Sequence, residues 1–272
     1  MKRSGVVSAA AEAELLVRHF SGADRIDFFT GQKVITPRIR KFVETALKVR
    51  LKGCPLQYVL KQTEFFGYSF FVNSDTLIPR PETEILVEES LRILKGQKTP
   101  KILDVGAGTG CIAVSLTIQR PDCRMTALDR SPKALEIARK NINFHGLSKK
   151  IKVLKSDLFN AFGANKKDFW DLIVSNPPYV PTEDFPSLSR EVLSEPRLAL
   201  DGGLKGMAVI DRLLKETVYF LKKDGWLLIE IGKGQANLVT KKLSSKKEFG
   251  RPRFIKDYTG IERVLVVQKI AE

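Results

Sequence analysis

The sequence is poor in the side chains that most often carry chemistry by themselves. Its 272 residues include three cysteines, two histidines and two tryptophans. Cys54, Cys111 and Cys123 are odd in number and show no metal-type spacing. That argues against a zinc site or a disulfide framework, and the thiols read as reduced and buried in a cytosolic protein. His19 and His145 lie in no motif and read as structural or surface residues. No apolar run approaches the roughly 20 residues that span a bilayer. Lys2 and Arg3 precede only a weak run of small residues broken by Glu12 and Glu14, a poor signal-peptide core and too acidic for a transit peptide. There is no internal repeat and no low-complexity segment.

What is present is a globular composition with an excess of positive charge. Hydrophobic residues make up 43% and charged residues 28%, enough apolar content to fold into one large domain or two small ones. Lys and Arg number 46 against 31 Asp and Glu, a formal +15 that suits a nucleic acid, an acidic protein or a ribonucleoprotein as partner. Residues 1–70 hold 12 basic and 6 acidic side chains, so the basicity is spread over both parts of the chain. Residues 241–256 hold seven basic side chains and one acid, Glu248; they read as a solvated helix end and loop, with a functional patch as the alternative.

The hydrophobic periodicity changes along the chain. Residues 6–20 and 36–51 carry apolar side chains at helical spacing, with Pro37 near the start of the second helix. The aromatic run 64–72 turns around Gly67 and predicts a short β-hairpin. Residues 78–83 bring Pro79 and Pro81 two apart, so the chain is extended there before a helix from Glu84 to about Lys95. From residue 100 strands and helices alternate. Strands are predicted at 101–105, 124–129, 151–155, 171–175, 226–231 and 264–268. Helices are predicted up to Gln119, from Ser131-Pro132 to about Phe144, and over 206–222. That alternation means a parallel sheet covered on both faces, with ligands at the carboxyl ends of its strands. Asp104, Asp129 and the segment from Asn176 all sit at such ends.

Asp104-Val105-Gly106-Ala107-Gly108-Thr109-Gly110 follows the first of these strands and opens a helix. A phosphate loop needs a Lys after its last glycine, and none is present. The dinucleotide fingerprint needs its third glycine where Cys111 stands, and Asp104 would repel a pyrophosphate. A cofactor with a cationic, amino-acid-like end fits better, and S-adenosylmethionine is such a molecule. Its ammonium group would be met by acidic or carbonyl groups near Asp104, and its ribose by Asp129, which follows Gly110 by 19 residues.

The fourth strand ends in Ser175-Asn176-Pro177-Pro178-Tyr179. Two prolines fix the backbone and remove two N–H donors. The corner is therefore rich in acceptors, the Asn176 side-chain oxygen and the Pro177 carbonyl, and would grip an amide or exocyclic amine. Tyr179 would form one wall, stacking on a planar group or facing a sulfonium.

These two motifs together resemble class I amino-methyltransferases. Gly53-Cys54-Pro55-Leu56-Gln57-Tyr58-Val59, Glu64-Phe65-Phe66-Gly67, Ile78-Pro79-Arg80-Pro81-Glu82-Thr83 and Glu195-Pro196-Arg197-Leu198-Ala199-Leu200 narrow the resemblance to the release-factor glutamine methyltransferases, the PrmC or HemK family, from about residue 53 onward. The resemblance implies an α/β fold: a class I, Rossmann-like, seven-stranded methyltransferase domain over residues 73–272, preceded by a small helical substrate-docking domain ending in a hairpin over residues 1–72. It implies methyl transfer from S-adenosylmethionine to the glutamine of the Gly-Gly-Gln loop of class I peptide-chain release factors. Gly106, Ala107, Gly108, Thr109 and Gly110 would cradle the methionine part of the cofactor, Asp129 the ribose and Leu158 the adenine, where some relatives have Trp. Asn176, Pro177, Pro178 and Tyr179 would hold the glutamine, with Asn176, Pro177 and Tyr179 catalytic and Asn176 also beside the cofactor. Arg80 would contact the cofactor region or cap the following helix, and Glu195 would shape the substrate loop. Residues 259–263 keep only the outline of a family motif and receive no role. A cytoplasmic monomer with no metal, no membrane and no specific nucleic-acid partner is the expectation. The same corner could instead serve an adenine-N6 methyltransferase on a flipped base, and a basic nucleic-acid-binding module with a degenerate cofactor site is the third possibility.

Overall fold

The computed structural model describes residues 8–163 and 167–271; residues 1–7, with Lys2, Arg3 and the start of the first expected helix, lie outside the described residues. The chain opens with helices α1 (Ala9–Ser21), α2 (Arg25–Thr30), α3 (Pro37–Leu51) and α4 (Leu56–Leu60). Thr36 caps α3 by accepting from the Ile39 amide at 3.3 Å, and Pro37 fills the first turn, where its missing N–H is not needed. Leu16, Ala46 and Leu56 form the small core of this unit.

The hairpin β1 (Gln62–Phe65) and β2 (Tyr68–Phe71) pairs Phe65 with Tyr68 across the Phe66–Gly67 turn. Its buried rings, Phe65 and Phe70, belong to the same hydrophobic cluster as the large sheet and not to the helical core. Burying each ring contributes about 1.5–3 kcal/mol, so the hairpin is fastened to the sheet domain. The expected domain boundary after residue 72 therefore falls earlier in packing terms, after α4. Asn141 adds polar ties: it accepts from Phe71 N at 2.7 Å and donates to the carbonyls of Phe71 at 3.0 Å and Thr109 at 2.9 Å.

The rest alternates: α5 (Pro81–Ile93), β3 (Lys101–Val105), α6 (Cys111–Gln119), β4 (Arg124–Asp129), α7 (Pro132–Phe144), β5 (Ile151–Lys155), β6 (Trp170–Ser175), the short α8 (Arg190–Leu193) and α9 (Arg197–Leu200), α10 (Ala208–Phe220), β7 (Leu221–Glu230), α11 (Ala236–Leu243), β8 (Arg253–Lys256) and β9 (Glu262–Gln268). The seven strands run in the order β5-β4-β3-β6-β7-β9-β8. β3 to β7 are parallel, and β9 is antiparallel to both its neighbours. The chain winds from β3 outward to β5 and then returns to β6 on the other side of β3. That reversal opens a crevice between the carboxyl ends of β3 and β6, where ligands bind in such sheets.

Three expectations shift. Helix α5 begins at Pro81, three residues before Glu84, because proline is favoured at the first helical position. β8 occupies part of the basic stretch read as helix end and loop; at this half-buried edge Lys256 is exposed and Arg253 pairs with the buried Glu89. Cys54 is only half-buried, whereas Cys111 and Cys123 are buried, and all three are free. Among the described residues no helix is long and apolar enough to cross a membrane, and no three His, Cys, Asp or Glu side chains could hold a metal ion.

Candidate active site

A cavity of ≈ 510 Å³ lies at the reversal point and holds most of the residues that the sequence singles out. Gly106, Ala107, Gly108, Thr109, Asp129, Leu158, Asn176, Pro177 and Pro178 line it; Gly110, Tyr179 and Asp104 do not.

The glycine loop has its shape for local reasons. Gly106 and Ala107 both donate to the Leu128 carbonyl, at 2.8 and 2.7 Å, which curls the loop over the end of β4. Gly106, Gly108 and Gly110 have φ of +80°, +55° and +79°, a region where a side chain is strained. Gly110 lies beneath the loop, where an added Cβ would be 3.4 Å from Ala138 of α7, so it shapes the cradle from behind. Asp129 does more than end a strand. One carboxylate oxygen accepts from Gly108 N at 2.9 Å and the other from Ser131 N at 2.8 Å, so it holds the loop as well as facing the cavity. Burial raises its pKa above the usual carboxylate range.

Asp104 itself does not line the cavity. Its side chain is fully buried behind the loop, and burial pushes its pKa up to about 7. Of the carboxyls at the ends of β3 and β4 only Asp129 faces the cavity, and the Cys111 thiol on its wall is pushed up to about 12 by burial, so it is no nucleophile.

Leu158 is buried in the core beneath β4 and β6 while lining the cavity, with φ +48°. Beside it Arg212 of α10 pairs with both oxygens of Asp157, at 3.1 and 3.2 Å. The far wall comes from segments to which the sequence gave no cavity role: Thr76, Leu77, Pro79 and Thr83 before and within α5, and Pro196 to Ala199. Arg80 occupies the N-cap position of α5 without a side-chain cap bond and does not line the cavity; its side chain pairs with Glu195, which is buried and also accepts from Ile78 N at 3.0 Å. Glu195 thus fixes the 190–201 segment against the linker. Arg50 extends the tie to the helical unit, bonding Glu12 at 2.6 Å and Glu191 at 2.7 Å. The Ile-Pro-Arg-Pro-Glu-Thr motif was the available signal for this wall. His19 and His145 do not line the cavity.

The corner after β6 is held by bonds from several elements. Ser175 donates its hydroxyl to the Val105 carbonyl at 2.6 Å, which locks the end of β6 to β3. Asn176 donates through Nδ2 to Thr83 Oγ1 at 3.1 Å. Tyr179 departs from its expected role as a cavity wall. Its hydroxyl donates to Glu230 at 3.0 Å and its ring packs on the second core cluster, because a buried carboxylate gives the phenol a stronger partner than solvent. The Tyr179 carbonyl accepts from Gln235 Nε2 at 3.0 Å, which fixes the backbone beyond the prolines.

Residues 82–204 match the methyltransferase small domain family, and residues 1–60 match the PrmC N-terminal domain family. A release factor glutamine methyltransferase of Geobacter sulfurreducens is 36% identical over 267 residues, 97% of this chain and 91% of that protein. One from Aquifex aeolicus is 38% identical over 260 residues, covering 95% and 90%. In structure, the human methyltransferase 10 domain containing protein superposes with a TM-score of 0.57 at 18% identity over 84% of this chain and 98% of that one, a likeness of fold. A methyltransferase match implies a cofactor of the S-adenosylmethionine type.

Gly206 and Gly234 give a paired test of how tightly the corner is held. Both have positive φ, but a Cβ on Gly206 would lie 1.9 Å from the Tyr179 carbonyl oxygen, whereas one on Gly234 meets nothing within 4 Å. Gly234→Ala should cost about 1 kcal/mol of unfolding free energy in a denaturant titration, and Gly206→Ala about 3 kcal/mol or more. Equal costs would mean that the corner yields freely.

Proposed function

The chain belongs to the release factor glutamine methyltransferase family, and from that premise we propose how its residues divide the reaction. The enzyme transfers a methyl group from S-adenosylmethionine to the side-chain amide nitrogen, N5, of a glutamine in a release factor, the glutamine of the Gly-Gly-Gln loop in class I factors. The observation that carries the reading is the adjacency of two unlike surfaces in one cavity: the glycine loop over β3 and the acceptor corner after β6.

Gly106 to Thr109 hold the methionine end of the cofactor, with Gly110 supporting the loop from behind. Asp129 takes the ribose hydroxyls, and Leu158 offers an apolar face to the adenine. The fit is supported by the carboxyl of Asp129 at this end, which suits ribose hydroxyls and not a pyrophosphate. When bound, the cofactor supplies a methyl group made electrophilic by a sulfonium.

A glutamine amide nitrogen is a poor nucleophile because its lone pair is shared with its carbonyl. The Asn176 side-chain oxygen and the Pro177 carbonyl take its two N–H groups. That fixes the nitrogen, directs its lone pair into the cavity and favours the positive charge that develops there. No Asp, His or Lys is needed to remove a proton before transfer. Tyr179 serves from behind the corner, through Glu230, and not as a wall.

The helical unit supports a docking role, since the corner reads an amide and little of its surroundings. It exposes Phe29, Val34 and Phe42 beside Arg38, Arg40 and Lys41. The free thiols and a translation factor as substrate support a cytoplasmic enzyme.

The direct test offers labelled S-adenosylmethionine with a class I release factor, DNA and RNA in parallel. Label on the loop glutamine is expected; label on nucleic acid with none on the release factor would transfer the corner to the nucleobase reading. Asn176→Ala should lower kcat by about 100-fold or more while cofactor affinity by calorimetry stays within a few-fold. Asp129→Ala should do the reverse, weakening cofactor binding by about tenfold or more through lost charge-assisted bonds. Matching losses in both variants would mean that the two halves of the cavity are misassigned. For docking, reversing Arg38, Arg40 and Lys41 to Glu should raise KM for the release factor about tenfold at unchanged kcat; an unchanged KM removes this face from recognition.

A further inference from the structure

An amide side chain has an oxygen that accepts and a nitrogen that donates, and the role given to Asn176 needs the oxygen on the cavity side. A buried chain of hydroxyls decides which end faces which way. Glu230 closes β7 and is fully buried; burial raises its pKa, while the bonds from Thr83 and Tyr179 and the charge of Arg263 oppose that rise and favour the carboxylate, which can only accept hydrogen bonds. Tyr179 donates its hydroxyl to Oε1 at 3.0 Å, and Thr83 donates its hydroxyl to Oε2 at 2.6 Å. Thr83 has a single hydroxyl proton, and it is committed to Glu230. Only lone pairs of Oγ1 remain for Asn176. Asn176 must therefore present Nδ2, which lies 3.1 Å from Oγ1, and its Oδ1 is turned to the opposite side of the amide.

We infer that Glu230 is a positioning residue for methyl transfer: acting through Thr83, it fixes the Asn176 amide with its oxygen available to the substrate. The inference rests on the reading that Asn176 grips the glutamine amide. Three separate segments supply the relay: the end of β7, the first turn of α5 and the corner after β6. An isolated asparagine in that place could rotate by half a turn and set an N–H against the substrate's own N–H. The relay removes that state although Glu230 and Tyr179 do not line the cavity.

The chemistry makes the Gln variant of Glu230 more damaging than simple loss of the relay. In Glu230→Gln, Tyr179 still donates to Oε1, so Nε2 faces Thr83. Thr83 then accepts from Nε2, and its proton turns to Asn176, where it holds Oδ1 and inverts the amide. In Thr83→Val no hydroxyl holds either end, and the amide samples both orientations.

The test measures kcat and KM with a class I release factor, S-adenosylmethionine affinity by calorimetry, and the melting temperature of each variant. Thr83→Ser should keep kcat within about threefold. Thr83→Val should lower kcat by roughly tenfold, and Glu230→Gln by about 100-fold, with KM and cofactor affinity within about threefold in both. Adding Thr83→Val to Glu230→Gln should raise kcat back to that of Thr83→Val alone, because it removes the hydroxyl that holds the inverted amide. A merely structural role would make the double variant the worst of the set. Wild-type kcat in Glu230→Gln, or a double variant slower than Glu230→Gln, overturns the proposal. If Glu230→Gln does not fold, wild-type kcat in Thr83→Val overturns it instead. Asn176→Ala, measured alongside, separates the two layers: full turnover there removes the reading of Asn176 itself, whereas its loss beside a fully active Thr83→Val removes only the relay.

Discussion

Two consecutive prolines at the carboxyl end of a central parallel strand give a strand end that has acceptors and lacks donors. The rest of the molecule is arranged around that constraint. The order β5-β4-β3-β6-β7-β9-β8 sets this end beside the glycine loop, where the winding reverses between β5 and β6. Ser175 ties the strand end to Val105, and Gln235 holds the carbonyl just past the prolines. Gly202 and Gly206 have no room for a side chain because the corner's backbone fills that space. A group that binds by offering N–H donors needs acceptors that do not move, and each of these contacts removes a way for them to move.

The walls of the cavity come from the linker and from the 190–201 segment, and buried charge joins the two. Glu195 is shared between Arg80 and the Ile78 amide, and Arg50 is shared between Glu12 and Glu191. Exposed ion pairs contribute little, about 0–1 kcal/mol each. These differ because Arg50 and Glu195 are buried, so each must keep its partner. Their effect is geometric. They link the helical unit to the segment that roofs the cavity, so a protein docked on α1–α4, as proposed, would be held in a fixed relation to Asn176.

Much of this was legible in the sequence because it was written locally. Lys101 to Val105 followed by the glycines, and Trp170 to Ser175 followed by two prolines, carry their strand ends and loops in one short stretch each. The hairpin was legible as a hairpin, yet its attachment was not: Phe65 and Phe70 could have packed on either neighbour, and only the tertiary structure gives them to the sheet. β8 was missed because Arg-Phe-Ile-Lys at a half-buried edge has no apolar alternation to betray it. Tyr179 was read from its motif as a wall, but its hydroxyl answers to Glu230, 51 residues away. Thr83 escaped for the same reason; its partner Asn176 lies 93 residues on, and no spacing rule reaches that far. Asp104 was placed correctly at a strand end, but which way its carboxyl faces is decided by the packing behind the loop.

In the proposed reading the corner grips an amide nitrogen through two N–H groups taken by two fixed acceptors. A glutamine that already carries one methyl group has only one N–H left and cannot satisfy both acceptors. Mass analysis of the release-factor peptide after exhaustive reaction with excess S-adenosylmethionine tests this directly. The account predicts that the loop glutamine stops at one methyl group however long the reaction runs. Accumulation of the dimethylated amide at a comparable rate would contradict it.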